Sequence, residues 1–576
     1  MRKLKVDGNL SLKILIASVL ALSVLLPTDA LWAAGEIGDL AIRPAPPAPP
    51  LPAAGGTFND PTYGTLILRV TDRTDGDQAS HPYSLWSPFN YNSTRFIINI
   101  IPTPGSPGVW TLYDFDPTTF TSRKVGPACC PRGGTGLDLE TARWHPTNPD
   151  VLYAMEPSTQ RRQLFAYNVV TQVYTLVHDF TSVAPTGGYP NSLSMSQDGR
   201  YFAFYSSTTG GQDTGDHVIA YDLQTNTVYP LDFKAQTGWS NIHSAFLDKS
   251  GTYVAIQAGA QSAGQPDHWV WNFKAGTLDA LLWKLADSPG GHWLFGVGQA
   301  INPYYNGGQH IKRQLVTPHT YVPAVIWPLR DGKFNWQTDS HLSWNNSQAG
   351  FFYYSNYIAS SLSGWVLHSG AIYKHVSFAA TSLTQRAPEG VYHNGMSLSQ
   401  STSMPGGPGQ WYYDAPNDTL YVWLVNNADA TNAANVIVPF AWWPFLEEIV
   451  QVWIDDPTNL TKIRRLAHHQ SHWPNTGGYT DTPRASADPS GQFVMFDSNW
   501  GGSGHRDVFI LNVSGTPTTT TTAPTTPTTP TTSTTPTTPT TSTTPTTPTT
   551  PTTPTAPPKG GGLRGFMQRL LDFFSK

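Results

Sequence analysis

A short cassette of alternating apolar and polar positions recurs along the chain. Each copy contains a Gly turn, then a run in which apolar residues alternate with others, and then a second run that ends near Asp or Asn. The clearest copies begin at Ser196, Asp248 and Asp488. Period-two alternation between Gly turns is typical of antiparallel strands, and a repeat of about 45 to 50 residues is typical of a propeller blade. The pattern therefore predicts an all-β protein built as a β-propeller.

Seven polar residues mark the starts of the innermost strands of successive predicted blades. They are His81, His145, Asn191, His243, His292, His341 and Arg484. The first six follow one another at about 45 to 65 residues, which fits one blade each, whereas about 140 residues separate the last two. We therefore expect a seven-bladed β-propeller over residues 57–513, with a small β module inserted at 364–439.

The N-terminal residues have the order of a secretory signal peptide. Basic residues precede an apolar run over 14–26, and small residues follow up to Ala34, so we place the signal peptide at 1–34. An uncleaved anchor is the alternative. A Pro/Ala-rich spacer, 35–56, is expected to be stiff and extended. Export to the extracellular space or the cell surface is the expected localisation.

The C-terminal residues predict a tether. Residues 514–562 are almost wholly Thr and Pro, a composition that cannot bury a core and favours a disordered, extended stalk with hydroxyls for O-glycosylation. In residues 563–576 apolar side chains recur at spacings of three and four, which predicts a short amphipathic C-terminal helix. This helix would contact a membrane or a partner's groove, and the alternative is a tail that is only transiently helical.

Composition narrows the class of partner. The chain has 576 residues, of which 12% are aromatic and 13% charged, so it has ample apolar area for a large core. A net charge of −5 gives no reason to expect a nucleic-acid partner. Cys129 and Cys130 are the only cysteines and are adjacent, which leaves a vicinal disulfide, a free pair or an intermolecular bridge.

The first residues of the innermost strands are predicted to form a ring. In a propeller these positions converge on one face around the central channel. Histidine suits a general base and arginine binds carboxylates, so the ring predicts ligand binding by a His/Arg-lined central face. Its ligand-binding candidates are His81, His145, His341 and Arg484. Alternatively, each histidine only makes a hydrogen bond to a neighbouring strand.

Several motifs resemble those of secreted bacterial seven-bladed propellers of the oligogalacturonate-lyase-like and TolB-like kind. They are Phe58-Asn59-Asp60-Pro61, Ser80-His81-Pro82-Tyr83-Ser84, Ser340-His341, Arg465-Leu466-Ala467-His468-His469-Gln470-Ser471 and Asp497-Ser498-Asn499-Trp500-Gly501. The resemblance implies cleavage of uronate glycans by β-elimination, in which a base removes the proton α to the carboxyl group and a cation neutralises the enolate. It would make His243 or His292 the catalytic base and Arg484 the group that binds the carboxylate.

The metal site of these lyases is expected to be absent. Where they carry a His-Pro-His-type pair at the start of the last blade, this chain has Thr482-Pro483-Arg484. A guanidinium would repel a bound cation, so we expect no cofactor, with a divalent metal as the alternative. The candidate metal ligands for that alternative are His292, His341, His469 and His472. The last two also fit a solvated His-rich turn.

The insertion carries a second resemblance. Gly409-Gln410-Trp411-Tyr412-Tyr413-Asp414, followed by Thr419-Leu420-Tyr421-Val422-Trp423, resembles a segment that often opens right-handed β-helix proteins acting on or binding polysaccharides. No helical coils follow, so the resemblance implies a small β module and transfers no activity.

Three functions are compatible with these features. The first is a surface-displayed propeller that recognises a glycan or an envelope or matrix protein. The second is a metal-independent polysaccharide lyase, and the third is a structural protein that self-associates. Whether the chain is an enzyme stays open at this point.

Overall fold

The computed structural model describes a long central part of the chain. The described residues are 43, 45–128, 142–155, 162–184, 191–208, 215–258, 268–281, 294–295, 299–305, 309–326, 338–343, 351–358, 364–378, 387–388, 390–393, 396–432, 435, 437–440, 447–453, 463–471 and 482–513. The predicted signal peptide, the Thr/Pro stalk, the C-terminal helix and both cysteines lie outside them. No helix among the described residues is long and apolar enough to cross a membrane.

Four-stranded antiparallel sheets dominate the described residues. Five of these sheets each consist of four consecutive strands. The first contains β3 Gln78–Ser80, β4 Arg95–Ile101, β5 Val109–Asp116 and β6 Thr121–Pro127, the second β7 Arg143–Trp144, β8 Val151–Met155, β9 Gln163–Asn168 and β10 Val173–Asp179, and the third β11 Asn191–Met195, β12 Tyr201–Ser206, β13 His217–Asp222 and β14 Thr227–Asp232. The fourth contains β15 Ile242–Leu247, β16 Val254–Ala258, β17 His268–Asn272 and β18 Thr277–Leu281, and the fifth β19 Leu294–Phe295, β20 Gln299–Tyr305, β21 Gln309–Gln314 and β22 Tyr321–Ile326. A helix, α1 Phe233–Thr237, follows β14, with the Asp232 carboxylate accepting a hydrogen bond from the Ala235 backbone N–H at its start.

A further four-stranded sheet is interrupted by an insertion. It contains β23 Thr338–Ser343, β24 Phe351–Ile358, β33 Glu448–Trp453 and β34 Ile463–His468. Between β24 and β33 the chain forms two further sheets, one of five strands and one of three. Their strands are β25 Val366–Ser369, β26 Ile372–Val376, β27 Gly390–His393, β28 Met396–Ser397, β29 Ser399–Gln400, β30 Gln410–Asp414, β31 Thr419–Trp423 and β32 Ile437–Phe440, and a 3-10 helix lies at Val425–Asn427. In the larger of these sheets Trp411 pairs with Val422 and is buried.

Strands from the two ends of the described chain share one sheet. β35 Ser486–Ala487, β36 Phe493–Ser498 and β37 Asp507–Asn512 continue into β2 Leu66–Arg69 and β1 Thr57–Asn59. β2 pairs antiparallel with β37, with Leu68 opposite Ile510. This closing sheet therefore joins the N-terminal strands to the C-terminal ones.

Neighbouring sheets pack face to face in chain order. Ala203 and Val218 of one sheet share a buried cluster with Ile256 and Trp269 of the next. The closing sheet shares one cluster with the sheet that contains β4 and another with the sheet that contains β33. An all-β chain of four-stranded sheets stacked in this order is consistent with the blades of a propeller.

The repeated turn of the cassette connects the first and second strands of these sheets. At Asp248 the carboxylate Oδ1 accepts the backbone N–H groups of Thr252 and Tyr253 at 2.9 and 2.8 Å. The backbone N–H of Gly251 donates to the Asp248 carbonyl at 3.0 Å. Gly251 has φ 67°, a left-handed conformation that favours glycine. The spacing between Asp and Gly in the sequence is therefore the spacing that this hydrogen-bonded turn requires.

Candidate functional site

The first strand of one sheet is followed by a segment that leaves that sheet. β3 pairs with the end of β4, and Phe89 forms a separate bridge with Phe96 further down the same strand. Between these two contacts lies the crossing segment, residues 81–88. Because both of its ends are fixed to β4, the residues between them project away from the sheet.

Trp86 of the crossing segment contacts the first strands of three other sheets. Its ring lies 6.1 Å from that of Phe246 on β15, and the guanidinium of Arg143 on β7 lies 4.0 Å from its centroid. Its carbonyl accepts a hydrogen bond from the Ser486 hydroxyl on β35 at 2.8 Å. Trp86 therefore lies where the first strands converge. We call Tyr83, Trp86, Arg143 and Phe246 the central cluster.

The central cluster keeps part of its aromatic surface exposed. Tyr83 and Trp86 are half-buried, with ring centroids 5.8 Å apart, whereas Arg143 and Phe246 are buried. The Arg143 side chain also donates to the Ala142 carbonyl at 2.6 Å, which holds the guanidinium in place. A guanidinium stacked on an indole face is a cation–π contact.

Arg484 and His81 lie beside this cluster and share one carboxylate. The Arg484 Nη2 donates to Asp497 Oδ2 at 2.5 Å, and the His81 backbone N–H donates to Asp497 Oδ1 at 3.0 Å. The guanidinium of Arg484 is 6.0 Å from the Tyr83 ring, and its backbone has φ 43°. The charge of Arg484 is thus compensated within the protein.

His81 is buried as a neutral ring. It has no exposed surface, and burial lowers its pKa from 6.5 to about 4; the charge of Asp497 only partly opposes this shift. At neutral pH the ring therefore carries no charge. A buried neutral histidine fits a structural role at the junction of β3 and the closing sheet.

His145 belongs to a turn. Its Nδ1 accepts the backbone N–H groups of Thr147 and Asn148 at 3.1 and 3.0 Å, which is the task that Asp248 performs in its own sheet. Its ring stacks on Tyr153, and burial lowers its pKa. The described contacts thus place His145 at the end of β7 rather than beside Trp86.

The other predicted site residues are divided between described and undescribed parts of the chain. His243 lies on β15, half-buried, at a register shift between Ile242 and Ser244. His341 lies on β23 opposite Ser355. His292, His472, Cys129 and Cys130 lie outside the described residues. Of the predicted ring, the described contacts bring together only His81 and Arg484, through Asp497.

A second cluster of charged groups lies where the closing sheet meets the sheet of β33 and β34. Arg465 and Glu448 have no exposed side-chain surface and form a two-pronged ion pair, with Arg465 Nε donating to Glu448 Oε2 at 2.7 Å. His468 stacks on Tyr63 at 5.1 Å, and its backbone N–H donates to Asp60 at 2.9 Å. We call these five residues, together with Glu447, the closing seam.

Burial governs the acids of the closing seam. It raises the pKa of Glu447 from 4.5 to about 8, and that of Glu448 to about 7 against the opposing charge of Arg465. Burial also lowers the pKa of His468. His469, a predicted metal ligand, is buried beside this seam, and its Nδ1 accepts the Ser471 backbone N–H at 3.0 Å.

No cluster of three or more His, Cys, Asp or Glu side chains suited to a metal ion occurs among the described residues. Sequence reasoning also missed the central aromatic residues. Trp86 lies five residues after His81 and Arg143 lies two residues before His145, but the contact between them depends on the crossing segment. The sequence signal that could have indicated the crossing segment is the Ser-Pro pair after Trp86, which interrupts the alternation of apolar residues expected of a strand.

Comparison with known proteins adds similarity of fold. No protein-family model matches the sequence, and no curated protein matches it. Among solved structures, an oligogalacturonate lyase in complex with manganese is similar with a TM-score of 0.39 and 10% identity, over 81% of this chain and 98% of that one. TolB from Acinetobacter baumannii gives 0.26 and 15%, over 47% and 62%. The WD40 repeats of RRP9 give 0.28 and 8%, over 64% and 92%. The similarity is limited to a propeller-like all-β fold. The evidence for that fold is the order of the sheets described above.

Proposed function

We propose that the chain is an exported, surface-displayed, seven-bladed β-propeller that recognises a glycan through the central cluster. The six four-stranded sheets and the closing sheet supply the seven blades of this proposal. The observation that carries it is the position of Trp86, half-exposed among first strands from three other sheets and stacked with Arg143.

The chemistry of the central cluster favours sugars that carry acidic groups. Half-exposed Tyr and Trp rings provide apolar faces of the size of a sugar ring, with polar edges that make hydrogen bonds. A buried arginine stacked on such a ring makes the nearby potential positive, which favours an anionic ligand. Tyr83 and Trp86 supply the faces, and Arg143 supplies the positive charge.

The same region supports binding rather than β-elimination. A lyase needs a base and a carboxylate clamp that are both available to substrate. Arg484, the carboxylate-binding group of the lyase hypothesis, is instead paired with Asp497. Of the two candidate bases, His243 is half-buried on β15 and His292 lies outside the described residues. The group that the lyase hypothesis assigns to the substrate carboxylate is therefore already engaged within the protein.

Display at a surface completes the proposal. The sequence of residues 514–562 suits a stalk, and that of 563–576 suits a short helix that contacts a membrane or a partner. A folded head on such a tether would be kept at the surface.

Titration calorimetry with neutral and acidic polysaccharides tests the proposal. We expect the full chain to bind an acidic glycan and Trp86→Ala to weaken binding by about tenfold or more, the usual cost of losing a central aromatic contact. Tyr91→Ala is the matched control, since Tyr91 is an exposed aromatic (42%) outside the central cluster. Ultraviolet absorbance of an unsaturated product, measured on the same samples, would reveal a lyase. If Trp86→Ala left the affinity for the glycan unchanged, the assigned site would be wrong.

A further inference from the structure

Pro/Ala-rich residues before β1 lie along the body of the protein as a strap, residues 43 and 45–52. Four of their carbonyl oxygens accept hydrogen bonds from side chains of the body. The four bonds are His468 Nε2 to the Arg43 carbonyl at 2.8 Å, Gln470 Nε2 to that of Pro46 at 3.1 Å, Trp500 Nε1 to that of Pro49 at 2.8 Å, and Arg69 Nη1 to that of Pro52 at 2.6 Å. Each accepting residue is the third after the one before it.

A period of three is the period of polyproline II. This helix has three residues per turn and no internal hydrogen bonds, so every third carbonyl points the same way and is free to accept. Proline has no backbone N–H, so the strap keeps backbone donors only at Arg43, Ala45, Ala48 and Leu51. Proline-rich peptides are recognised in this manner by aromatic-lined grooves, which exploit a conformation that is already ordered before binding.

The groove that receives the strap is firmly built. His468 is fully buried, and Gln470 is 2% exposed. Trp500 packs edge-on against Phe58 at 5.3 Å and stacks on Phe509 at 5.0 Å, which fixes the direction of its indole N–H. Because a carbonyl only accepts, the His468 Nε2 must carry a proton, and the groove thus presents four donors in a row.

The backbone beside the groove is shaped for close approach of the strap. Gly501 has φ 69°, and its N–H donates to the Gln470 carbonyl at 2.7 Å. A Cβ added at Gly501 would lie 3.0 Å from the Cβ of Ala48 in the strap. Pro47 and Pro50 are exposed, whereas the residues whose carbonyls accept, Arg43, Pro46, Pro49 and Pro52, are half-buried. The strap is therefore held at the surface by one face only.

We propose that the groove formed by Arg69, His468, Gln470 and Trp500 is a binding site for extended proline-rich peptides, and that the strap is its resident ligand. The donors contact backbone carbonyls, so the site selects a carbonyl at every third residue rather than particular side chains. The chain's own Thr-Thr-Pro run has this period, with proline at every third position through most of residues 524–557. Peptides of that chemistry belong to the class of ligand that the site accepts.

Peptide binding to the full chain tests this site. A strap tethered in place competes at a millimolar effective concentration, so the wild-type chain should bind a labelled peptide of residues 43–52 weakly. In the full chain with Pro46→Gly and Pro49→Gly the strap is no longer ordered before binding and competes less well for the groove. We therefore expect fluorescence anisotropy to show that this variant binds the labelled peptide at least about tenfold more tightly than the wild-type chain does. Adding Trp500→Phe, which keeps the ring and removes the donor, should weaken that binding about fivefold.

Two further peptides test what the groove selects. A peptide with alanine at every proline position should bind about tenfold more weakly, because it must be ordered on binding. A Thr-Thr-Pro peptide should bind within about tenfold of the strap peptide, because its prolines maintain the same conformation. If the Thr-Thr-Pro peptide bound no more tightly than the alanine peptide, the proposal that the groove recognises a carbonyl at every third residue of an ordered chain would be wrong.

A folding control keeps the outcome decisive. If the glycine variant retains its near-ultraviolet circular dichroism and does not bind the strap peptide, the proposal is wrong. If that variant unfolds, the wild-type chain is incubated with excess strap peptide and cut with a proline-specific endopeptidase. Faster cleavage of the displaced strap supports the site, and cleavage unchanged at saturating peptide overturns it.

Discussion

The closing seam and the central cluster place arginine and aromatic side chains together, but expose them differently. In the seam, Arg465 and Glu448 have no exposed surface and each satisfies the other. In the central cluster, Trp86 and Tyr83 are half-exposed, and Arg143 rests on an aromatic face. Groups whose partners are all internal hold sheets together, whereas half-exposed groups retain surface for a ligand.

Breaking the seam should have the largest effect. Arg465→Met leaves the Glu448 carboxylate buried without its partner, which costs about 3 to 5 kcal/mol of unfolding free energy. Urea unfolding monitored by circular dichroism measures this loss. The double variant Arg465→Met, Glu448→Gln removes both charges and should recover much of it. Equal losses in the single and double variants would show that packing, not the unpaired charge, dominates.

The pH dependence of stability should distinguish the two regions by sign. Burial raises the pKa of Glu447 from 4.5 to about 8, so the folded protein holds a proton there that the unfolded chain releases. This contribution is present below pH 4.5 and is lost as the pH rises through about 8, at up to about 1.4 kcal/mol per pH unit. Urea unfolding across this range measures the slope. Glu447→Gln should reduce it, and the slope that remains should come from Glu448, whose pKa burial raises to about 7. A slope equal to that of the wild type would contradict the assignment to Glu447.

His81, beside the central cluster, should give a slope of the opposite sign over a narrower range. Burial lowers its pKa from 6.5 to about 4, so the unfolded chain binds a proton that the folded protein excludes. Its contribution is present above pH 6.5 and is lost as the pH falls through about 4, again at up to about 1.4 kcal/mol per unit. Stability measured between these limits for His81→Gln should fall less than for the wild type. An identical fall in both proteins would assign acid sensitivity to other groups.

The fold was largely predictable because its signals are local. The Asp248 and Asp488 cassettes specify a turn whose carboxylate accepts nearby backbone N–H groups, and strand alternation on both sides follows from it. The predicted propeller-like all-β class is confirmed at that level.

The site was less predictable because its contacts join distant residues. His145 occupies the turn position that Asp248 fills in another sheet. Its place beside a predicted strand was therefore compatible both with a turn and with the predicted ring, and the sequence alone did not distinguish the two. Trp86 meets Phe246 and Ser486 only because the crossing segment leaves its sheet. The strap was expected to be an extended spacer, and its hydrogen bonds to His468 and Trp500 span more than 400 positions of sequence, beyond the reach of any local pattern.

The smallest effect concerns Arg143, and it separates binding from stability. Its guanidinium lies 4.0 Å from the Trp86 centroid, so Arg143→Met should cost about 0.5 to 2 kcal/mol of unfolding free energy, the range of a cation–π contact. Arg143→Lys keeps the charge and should retain part of it. Lys274, exposed and 3.7 Å from the Tyr201 ring, offers a matched contact outside the central cluster. Lys274→Met should cost no more than about 1 kcal/mol and leave glycan affinity unchanged, whereas Arg143→Met should weaken it. Equal glycan affinity in these two methionine variants, measured by calorimetry beside urea unfolding, would mean that Arg143 stabilises the centre of the fold without contacting a ligand.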